Sequence, residues 1–190
     1  MSTVDTIRSL ICSESLGQPK QDLTQAAVLI GIIQTASGDR VIFNRRAPRM
    51  NKHASEICLP GGVLESVDQE SHVNGALREA NEEIGLPEGN VQVIGVLESC
   101  ITSQQIEVTP VVALVQRPPE WILQPNEVVE VMELPLGVFL EAENYKTVSR
   151  QYRGRQVNSV AITCNYFEIW GLTAKIMMRL QQLTRQRETN

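Results

Sequence analysis

Residues 70–86 constrain the fold more than any other segment, because apolar and acidic side chains separate there onto opposite faces of a helix. The apolar side chains recur three or four residues apart, which is typical of an amphipathic helix packed on a core. They are Val73, Ala76, Leu77, Ala80 and Ile84. Gly85 and Pro87 follow, and both are typical of a helix end. The pattern predicts a helix over residues 70–84.

Three carboxylates share the face opposite the apolar stripe. Glu79, Glu82 and Glu83 are spaced i, i+3 and i+4, so they fall within about 100° of one another around a helix. Carboxylates this close repel one another unless a cation compensates, and clustered oxygen donors are what Mg²⁺ and Mn²⁺ prefer. A solvated acidic face is the alternative reading. Glu70 is half a turn out of phase with Glu79, so it would reach the cluster only from a loop or the first turn.

Charge is unevenly distributed along the chain. The 17 Lys and Arg against 22 Asp and Glu give a net charge of −5, which argues against a protein that coats nucleic acid with a basic face. Residues 40–53 nevertheless carry five basic residues and no acid, whereas residues 56–88 carry eight acids and a single Arg. Beside a metal site, such a basic segment favours phosphate binding. Taken alone, such a basic segment is usually a solvated loop.

Apolar runs predict strands on both sides of the acidic helix. Ala26–Gln34 is a continuous β-rich run, typical of a strand buried on both faces. Further strands are predicted at Arg40–Asn44, Val91–Leu97, Val108–Val115, Val128–Leu134 and Val160–Ile169. A helical extension is predicted within residues 1–20 and a closing helix over Gly171–Gln186, with a turn-rich region at Glu141–Asn158. This order favours an α/β fold with one mixed sheet between helices, and we expect one domain over residues 1–190.

Cysteine spacing and the lengths of the apolar runs indicate the compartment. Four scattered cysteines without a CxxC pair exclude a disulfide framework and a zinc knuckle. No stretch near the start suits a secretory signal, and the longest apolar runs fall far short of the roughly 20 residues of a membrane span. We expect a cytoplasmic protein with no membrane or nucleic-acid partner. The sequence leaves both a monomer and a homodimer open.

Residues 59–86 resemble the signature of the Nudix hydrolase superfamily, G-x5-E-x7-R-E-U-x-E-E-x-G-U, in which U is apolar. The match is complete from Glu70 to Leu86, whereas Gly62 stands two residues further from Glu70 than the signature requires. The resemblance implies an α/β/α sandwich with a mixed sheet and a central catalytic helix. It also implies hydrolysis of a nucleoside diphosphate linked to another moiety.

The resemblance also implies roles for individual residues. Arg78 would orient a helix glutamate, and the metal, Mg²⁺ or Mn²⁺, would be held by four carboxylates and one backbone carbonyl. These ligands are Glu79, Glu82 and Glu83, with Glu70 as an accessory or orienting carboxylate and Gly62 as the carbonyl. The group that deprotonates the attacking water is left open between the catalytic glutamates of the helix and three later acids. The candidates are Glu79, Glu82, Glu98, Glu107 and Glu127.

Residues 42–62 are similar to the motif of the coenzyme A pyrophosphatase branch, L-L-T-x-R-S-x3-R-x3-G-x3-F-P-G-G. Arg46 falls on the first arginine of the motif. Five positions differ, namely Asn44, Ala47, Asn51, Ser55 and Leu59. The branch implies cleavage of coenzyme A, a small nucleotide, to adenosine 3′,5′-bisphosphate and 4′-phosphopantetheine. The 3′-phosphate would be bound by basic residues, for which the candidates are Arg45, Arg46, Arg49, Lys52 and His53.

Two alternatives to coenzyme A hydrolysis are carried forward. The first is a Nudix hydrolase that acts on another pyrophosphate, such as ADP-ribose, NADH or a nucleoside triphosphate, and the departures from the basic motif keep it open. The second is a catalytically silent Nudix-fold module that senses a nucleotide. The intact set of helix glutamates argues against the second alternative.

Overall fold

The computed structural model describes residues 3–11, 23–49, 54–152, 154–164 and 167–185. The helices are α1 (Thr3–Ile11), α2 (His72–Ile84), α3 (Leu136–Leu140) and α4 (Gly171–Arg185). In this described part of the chain, no helix is long and apolar enough to cross a membrane.

Eleven strands form two sheets in the same residues. The first seven are β1 (Thr24–Ile33), β2 (Arg40–Arg46), β3 (Ile57–Cys58), β4 (Gly61–Val63), β5 (Val91–Val96), β6 (Cys100–Ile101) and β7 (Ile106–Val115). The other four are β8 (Val128–Pro135), β9 (Tyr145–Tyr152), β10 (Arg155–Cys164) and β11 (Phe167–Trp170).

The larger sheet has eight strands and is mixed, as predicted. Its main order is β3-β2-β1-β7-β5, with β4 also beside β1, β6 beside β7 and β8 beside β2. Strands β1 and β7 run parallel, with Ala27 opposite Thr109, whereas the other strand pairs among the described residues are antiparallel. Gly62 of β4 pairs with Ala27 on the other side of β1. The short glycine strand β4 is therefore joined to the middle of the sheet.

Helices cover both faces of this sheet, which confirms the α/β/α sandwich. The apolar stripe of α2, including Ala80 and Ile84, shares a buried core with Leu29 of β1 and Val111 of β7. The opposite face packs against α1, α3 and α4 in a second core, where the rings of Phe43 and Phe139 lie 5.0 Å apart. The sheet is therefore packed on both faces, and the first core fixes the position of α2 on it.

The ends of α2 follow local backbone chemistry. Ser71 caps the first turn by accepting a hydrogen bond from the N–H of Asn74 at 3.2 Å. The helix was predicted to begin at Glu70 but begins at His72. Gln69 and Glu70 have left-handed φ values of 53° and 61°, which a right-handed helix excludes. Gly85 ends the helix with φ 65°, which confirms the predicted left-handed cap.

The C-terminal part of the fold corrects two predictions. The segment Glu141–Asn158, predicted to be turn-rich, contains β9 and the start of β10. The single strand predicted at Val160–Ile169 consists of parts of β10 and β11, which pair antiparallel with Cys164 opposite Phe167. Strand order β11-β10-β9 makes a separate three-stranded sheet. Much of β9 is polar and exposed, so its backbone ladder, and not an apolar pattern, defines it as a strand.

Candidate active site

Glu83 of α2 is held inside the protein by strand β2 and by the first residue of β4. Its side chain is only 3% exposed, and its Oε2 accepts hydrogen bonds from Asn44 Nδ2 at 2.8 Å and from the N–H of Gly61 at 3.0 Å. Burial raises the pKa of Glu83 to about 7, and the hydrogen bond from Gly61 opposes that rise. Arg46 Nη1 lies 3.9 Å from Glu83 Oε1. The basic strand and the acidic helix therefore meet at Glu83.

Two glycines allow the backbone to approach the glutamates. Gly61 has φ 149°, and a Cβ there would overlap the carbonyl oxygen of Ala27. A Cβ on Gly62 would overlap the carboxylate of Glu79. No side chain fits at either position without displacing a neighbour, so Gly61 brings the main chain against β1 and Gly62 brings it against α2.

Arg78 is bound by an acid that lies outside α2. Its Nε donates to Asp68 Oδ1 at 3.0 Å and its Nη2 to Asp68 Oδ2 at 3.2 Å. Asp68 is 2% exposed and also accepts from the N–H of Glu65 at 2.8 Å. The hydrogen bonds from Arg78 hold the pKa of Asp68 below its usual range. This buried carboxylate fixes the plane of the Arg78 guanidinium.

The same guanidinium pairs with two of the helix glutamates. Arg78 Nη2 lies 3.0 Å from Glu79 Oε1, and Arg78 Nη1 lies 3.0 Å from Glu82 Oε2. Glu79 is largely buried, which raises its pKa, whereas the side chain of Glu82 is 58% exposed. With Glu79 and Glu82 turned to Arg78 and Glu83 to Asn44, no three His, Cys, Asp or Glu side chains among the described residues are grouped as a metal site would group them.

Asp68, which was not predicted as a site residue, occupies the place predicted for Glu70 as the orienting carboxylate. Five residues separate Gly62 from Asp68, which is the spacing that the signature requires. The two additional residues, Gln69 and Glu70, form a left-handed turn between Asp68 and α2. Glu70 itself is exposed. Its role as a metal ligand stays a prediction, whereas the carboxylate that orients Arg78 is Asp68.

The five predicted phosphate ligands have different surroundings. Arg46 is beside Glu83, whereas Arg45 Nε pairs with Glu130 Oε2 of β8 at 2.7 Å. Arg49 is exposed at the end of a described segment. The remaining two, Lys52 and His53, lie outside the described residues. The structure therefore brings Arg46 to the acidic helix and leaves Arg45 engaged with another strand.

Two of the three later acids are engaged away from the helix glutamates. Glu98 forms an ion pair with Arg179 of α4, on the far side of the sheet from α2. Glu107 is buried in β7, where its Oε2 accepts from Gln25 Nε2 at 3.1 Å. Glu98 is therefore engaged on the opposite face of the sheet, and Glu107 is engaged by Gln25.

The third later acid, Glu127, lies beside the helix glutamates. Its carbonyl oxygen accepts from the N–H of Ala47 at 2.8 Å, directly after Arg46. Its side chain is exposed. Burial is the main cause of the raised pKa of Glu79 and Glu83, and the negative charge of Glu127 adds to both shifts. Glu127 is therefore the later carboxylate that shares the electrostatic environment of this site.

The loop that carries Glu127, residues 116–127, is fastened to the C-terminal end of α2. The N–H of Ile122 donates to the carbonyl of Ile84 at 3.1 Å, and the N–H of Gln124 donates to the carbonyl of Glu83 at 2.9 Å. These bonds satisfy carbonyl groups that a helix end leaves without intrahelical partners. The loop thereby fixes the distance between α2 and the start of β8.

Known proteins share both the sequence pattern and the fold. The family model described as NUDIX domain matches residues 24–152. The "Uncharacterized Nudix hydrolase NudL" of Salmonella heidelberg (strain SL476) is 34% identical over 183 residues, covering 95% of this chain and 90% of the relative. The NudL of Salmonella paratyphi B (strain ATCC BAA-1250 / SPB7) is 33% identical over the same shares.

Two solved structures show the same fold at low sequence identity. The Nudix hydrolase RenU from M. smegmatis superposes with a TM-score of 0.51 at 22% identity, over 60% of this chain and 71% of that one. The C. elegans Ap4A hydrolase in a binary complex gives 0.50 at 16% identity, over 64% and 89%. Together with the family model and the close relatives, the acidic helix and its glycine strand identify this chain as a member of the Nudix hydrolase family.

Proposed function

We propose that this Nudix hydrolase cleaves the pyrophosphate bond of coenzyme A or its thioesters with the help of Mg²⁺ or Mn²⁺. The products would be adenosine 3′,5′-bisphosphate and 4′-phosphopantetheine or its acyl form. The observation that supports the proposal is the approach of Arg46 to Glu83 at 3.9 Å. Arg46 belongs to the segment that resembles the coenzyme A motif, and Glu83 belongs to the Nudix signature, so the two motifs meet in one site.

The donor set of this site suits a divalent cation. Glu79, Glu82 and Glu83 supply carboxylate oxygens and Gly62 a backbone carbonyl, all of them hard ligands of the kind that Mg²⁺ and Mn²⁺ take. The tight approach of the Gly62 backbone to the Glu79 carboxylate supports this choice. When bound, such an ion lowers the pKa of a water molecule and screens the charge of the pyrophosphate.

Residues of the chain would prepare the substrate and the water. Arg78, held by Asp68, keeps Glu79 and Glu82 in place. Arg46 would donate to substrate phosphate, for which the planar guanidinium is well suited. A carboxylate must accept the proton of the attacking water. We propose Glu127 for that step, because its negative charge acts on both Glu79 and Glu83.

A product assay tests the substrate assignment. Purified protein is incubated with coenzyme A and either Mg²⁺ or Mn²⁺, and the products are identified by chromatography and mass. We expect adenosine 3′,5′-bisphosphate and 4′-phosphopantetheine in equal amounts, and no turnover after removal of divalent cations. Intact coenzyme A together with cleavage of ADP-ribose or NADH would overturn the substrate assignment and leave the family assignment in place.

One observation favours a second candidate, a pyrophosphatase for a nucleotide without a 3′-phosphate, such as ADP-ribose or NADH. Arg45, a predicted phosphate ligand, is engaged with Glu130. A matched pair of substrates separates the candidates, because dephospho-coenzyme A differs from coenzyme A only in lacking the 3′-phosphate. A preference of about tenfold in kcat/KM for coenzyme A, equivalent to about 1.4 kcal/mol, supports the first candidate. Equal values support the second.

A further inference from the structure

We infer that Asn44 is a positioning residue for Glu83, and that it holds one carboxylate oxygen so that the other is presented to a bound cation. The inference rests on the proposed metal-dependent function of the same site. Asn44 lies in β2, fully buried, with its Nδ2 2.8 Å from Glu83 Oε2. An amide NH₂ group can only donate, and a carboxylate can only accept, so this contact is directional.

The two oxygens of Glu83 have different surroundings. Oε2 accepts from Asn44 and from the N–H of Gly61. Oε1 lies 3.9 Å from Arg46 Nη1, which is beyond hydrogen-bond distance. With two donors fixed on Oε2, the carboxylate cannot rotate freely about its last bond. Oε1 is the oxygen with coordination capacity left for a cation.

The amide oxygen of Asn44 does not share in the hydrogen bonding of the side chain. Asn44 Oδ1 is buried and has no hydrogen-bond partner among the described residues. A buried carbonyl oxygen without a partner costs free energy, and most proteins avoid it. The hydrogen bond from Nδ2 to Glu83 offsets that cost. Backbone pairing with Cys58 on one side and Val131 on the other fixes the start of the side chain.

Of the two donors to Glu83 Oε2, only the Asn44 amide depends on the identity of a side chain. The second donor, at Gly61, belongs to the backbone and is present whatever the side chain. Threonine stands at the position of Asn44 in the coenzyme A motif that residues 42–62 resemble. A threonine hydroxyl is shorter than an amide, so the reach from β2 to Glu83 Oε2 is a property of the asparagine in this chain.

Metal affinity in the absence of substrate tests the inference. Calorimetric titration with Mn²⁺ compares the wild-type protein with Asn44→Leu, which keeps a similar volume and removes the donor. We expect Asn44→Leu to weaken Mn²⁺ binding by about 10-fold or more, as the loss of groups that orient metal ligands does. In a Glu83→Gln background the same substitution should change the affinity less than about twofold, because Asn44 acts through Glu83.

A matched control separates positioning from a general loosening of strand β2. Ile42→Val changes a fully buried neighbour in the same strand and should leave the Mn²⁺ affinity unchanged. If Asn44→Leu does not fold, Asn44→Ala is tested with the same expectations. Wild-type affinity in the Asn44 variant, or additive effects of the two substitutions, would overturn the inference and leave the proposed function intact. A wild-type protein that binds neither Mn²⁺ nor Mg²⁺ would overturn both.

Discussion

The guanidinium of Arg78 donates hydrogen bonds to both carboxylate oxygens of Asp68, at 3.0 and 3.2 Å. A two-point contact of this kind fixes the orientation of an arginine as well as its position. The two terminal nitrogens of the same guanidinium also pair with carboxylates of α2, Nη2 with Glu79 and Nη1 with Glu82. A buried acid of the 3₁₀ helix Ser66–Asp68, which precedes α2, therefore sets the direction of two acids on α2.

Asp68→Asn should impair the site more than Glu70→Gln. The first substitution removes the buried charge that holds Arg78, so we expect turnover to fall about 10- to 100-fold and the free energy of unfolding to fall by about 1–3 kcal/mol. Glu70 is exposed, so its substitution should change stability by less than about 0.5 kcal/mol. Steady-state kinetics and urea unfolding measure both effects. A larger loss of turnover in Glu70→Gln would restore Glu70 as the orienting carboxylate.

Glu82→Gln should remove activity without unfolding the protein. Turnover should drop by orders of magnitude, because a proposed metal ligand is lost. Stability should change by less than about 1 kcal/mol, since Glu82 is mostly exposed, its pair with Arg78 is of the surface kind, and repulsion from Glu79 is relieved. The exposed Glu88 provides the matched control, Glu88→Gln. Unchanged turnover in Glu82→Gln would refute the metal-site interpretation.

Glu127→Gln should reduce kcat far more than it changes KM. The carboxylate is proposed to accept a proton, a role for which the expected loss is about 10²- to 10⁴-fold. Glu120 lies in the same loop and is equally exposed, so Glu120→Gln is the matched control and should behave as wild type. Similar kinetics in the two variants would exclude Glu127 and return the choice to Glu79 and Glu82.

Without divalent cations, the wild-type protein should lose stability relative to Glu83→Gln as the pH rises through about 7. Burial raises the pKa of Glu83 from the usual 4.5 to about 7, so between these values the folded protein holds a proton that the unfolded chain has released. The stabilising contribution is complete below pH 4.5 and is lost above 7. Its size is on the order of 3 kcal/mol.

Urea unfolding at several pH values in the presence of a chelator measures this change. A difference between wild type and Glu83→Gln that stays constant from pH 5 to 8 would contradict the expectation. Glu88→Gln serves again as the exposed control, and its difference from wild type should not follow the pH.

Arg46→Ala and Arg45→Ala should differ in their effect on substrate binding. Arg46 is beside Glu83, so its loss should raise KM for coenzyme A about tenfold, the equivalent of one charge-assisted contact. Arg45 is paired with Glu130, and its loss should change KM less than about twofold. The opposite ranking would move the phosphate contact to Arg45.

Periodicity predicted the parts of the fold that are driven by apolar burial. The stripe of α2 was placed correctly by its helical spacing, and β1, β5, β7 and β8 were placed correctly by their runs of apolar residues. Strand β9 was missed since Lys146, Thr147 and Ser149 are exposed, and a strand with polar exposed residues has no such spacing. The break between β10 and β11 was missed because both flanks are apolar.

The site was predictable where its residues share one helix. Spacing alone grouped Glu79, Glu82 and Glu83 on one face of α2. Asp68 was missed because it reaches Arg78 from the 3₁₀ helix Ser66–Asp68, which is too short to show a periodic pattern. The signal that could have found it is the five-residue separation from Gly62. Asn44 carried no signal of its own, since its contact with Glu83 exists only once β2 and α2 pack together.

Loop 116–127 is bound to the end of α2 by the backbone N–H groups of Ile122 and Gln124. The side chains of these two residues are exposed. Most substitutions at these two positions would therefore keep the bond to α2, and a comparison of side chains would class the loop as unconstrained. Proline is the exception, because it lacks the N–H that the helix end accepts. Positions 122 and 124 can therefore vary in side chain while the attachment of the loop to α2, and with it the place of Glu127, is kept.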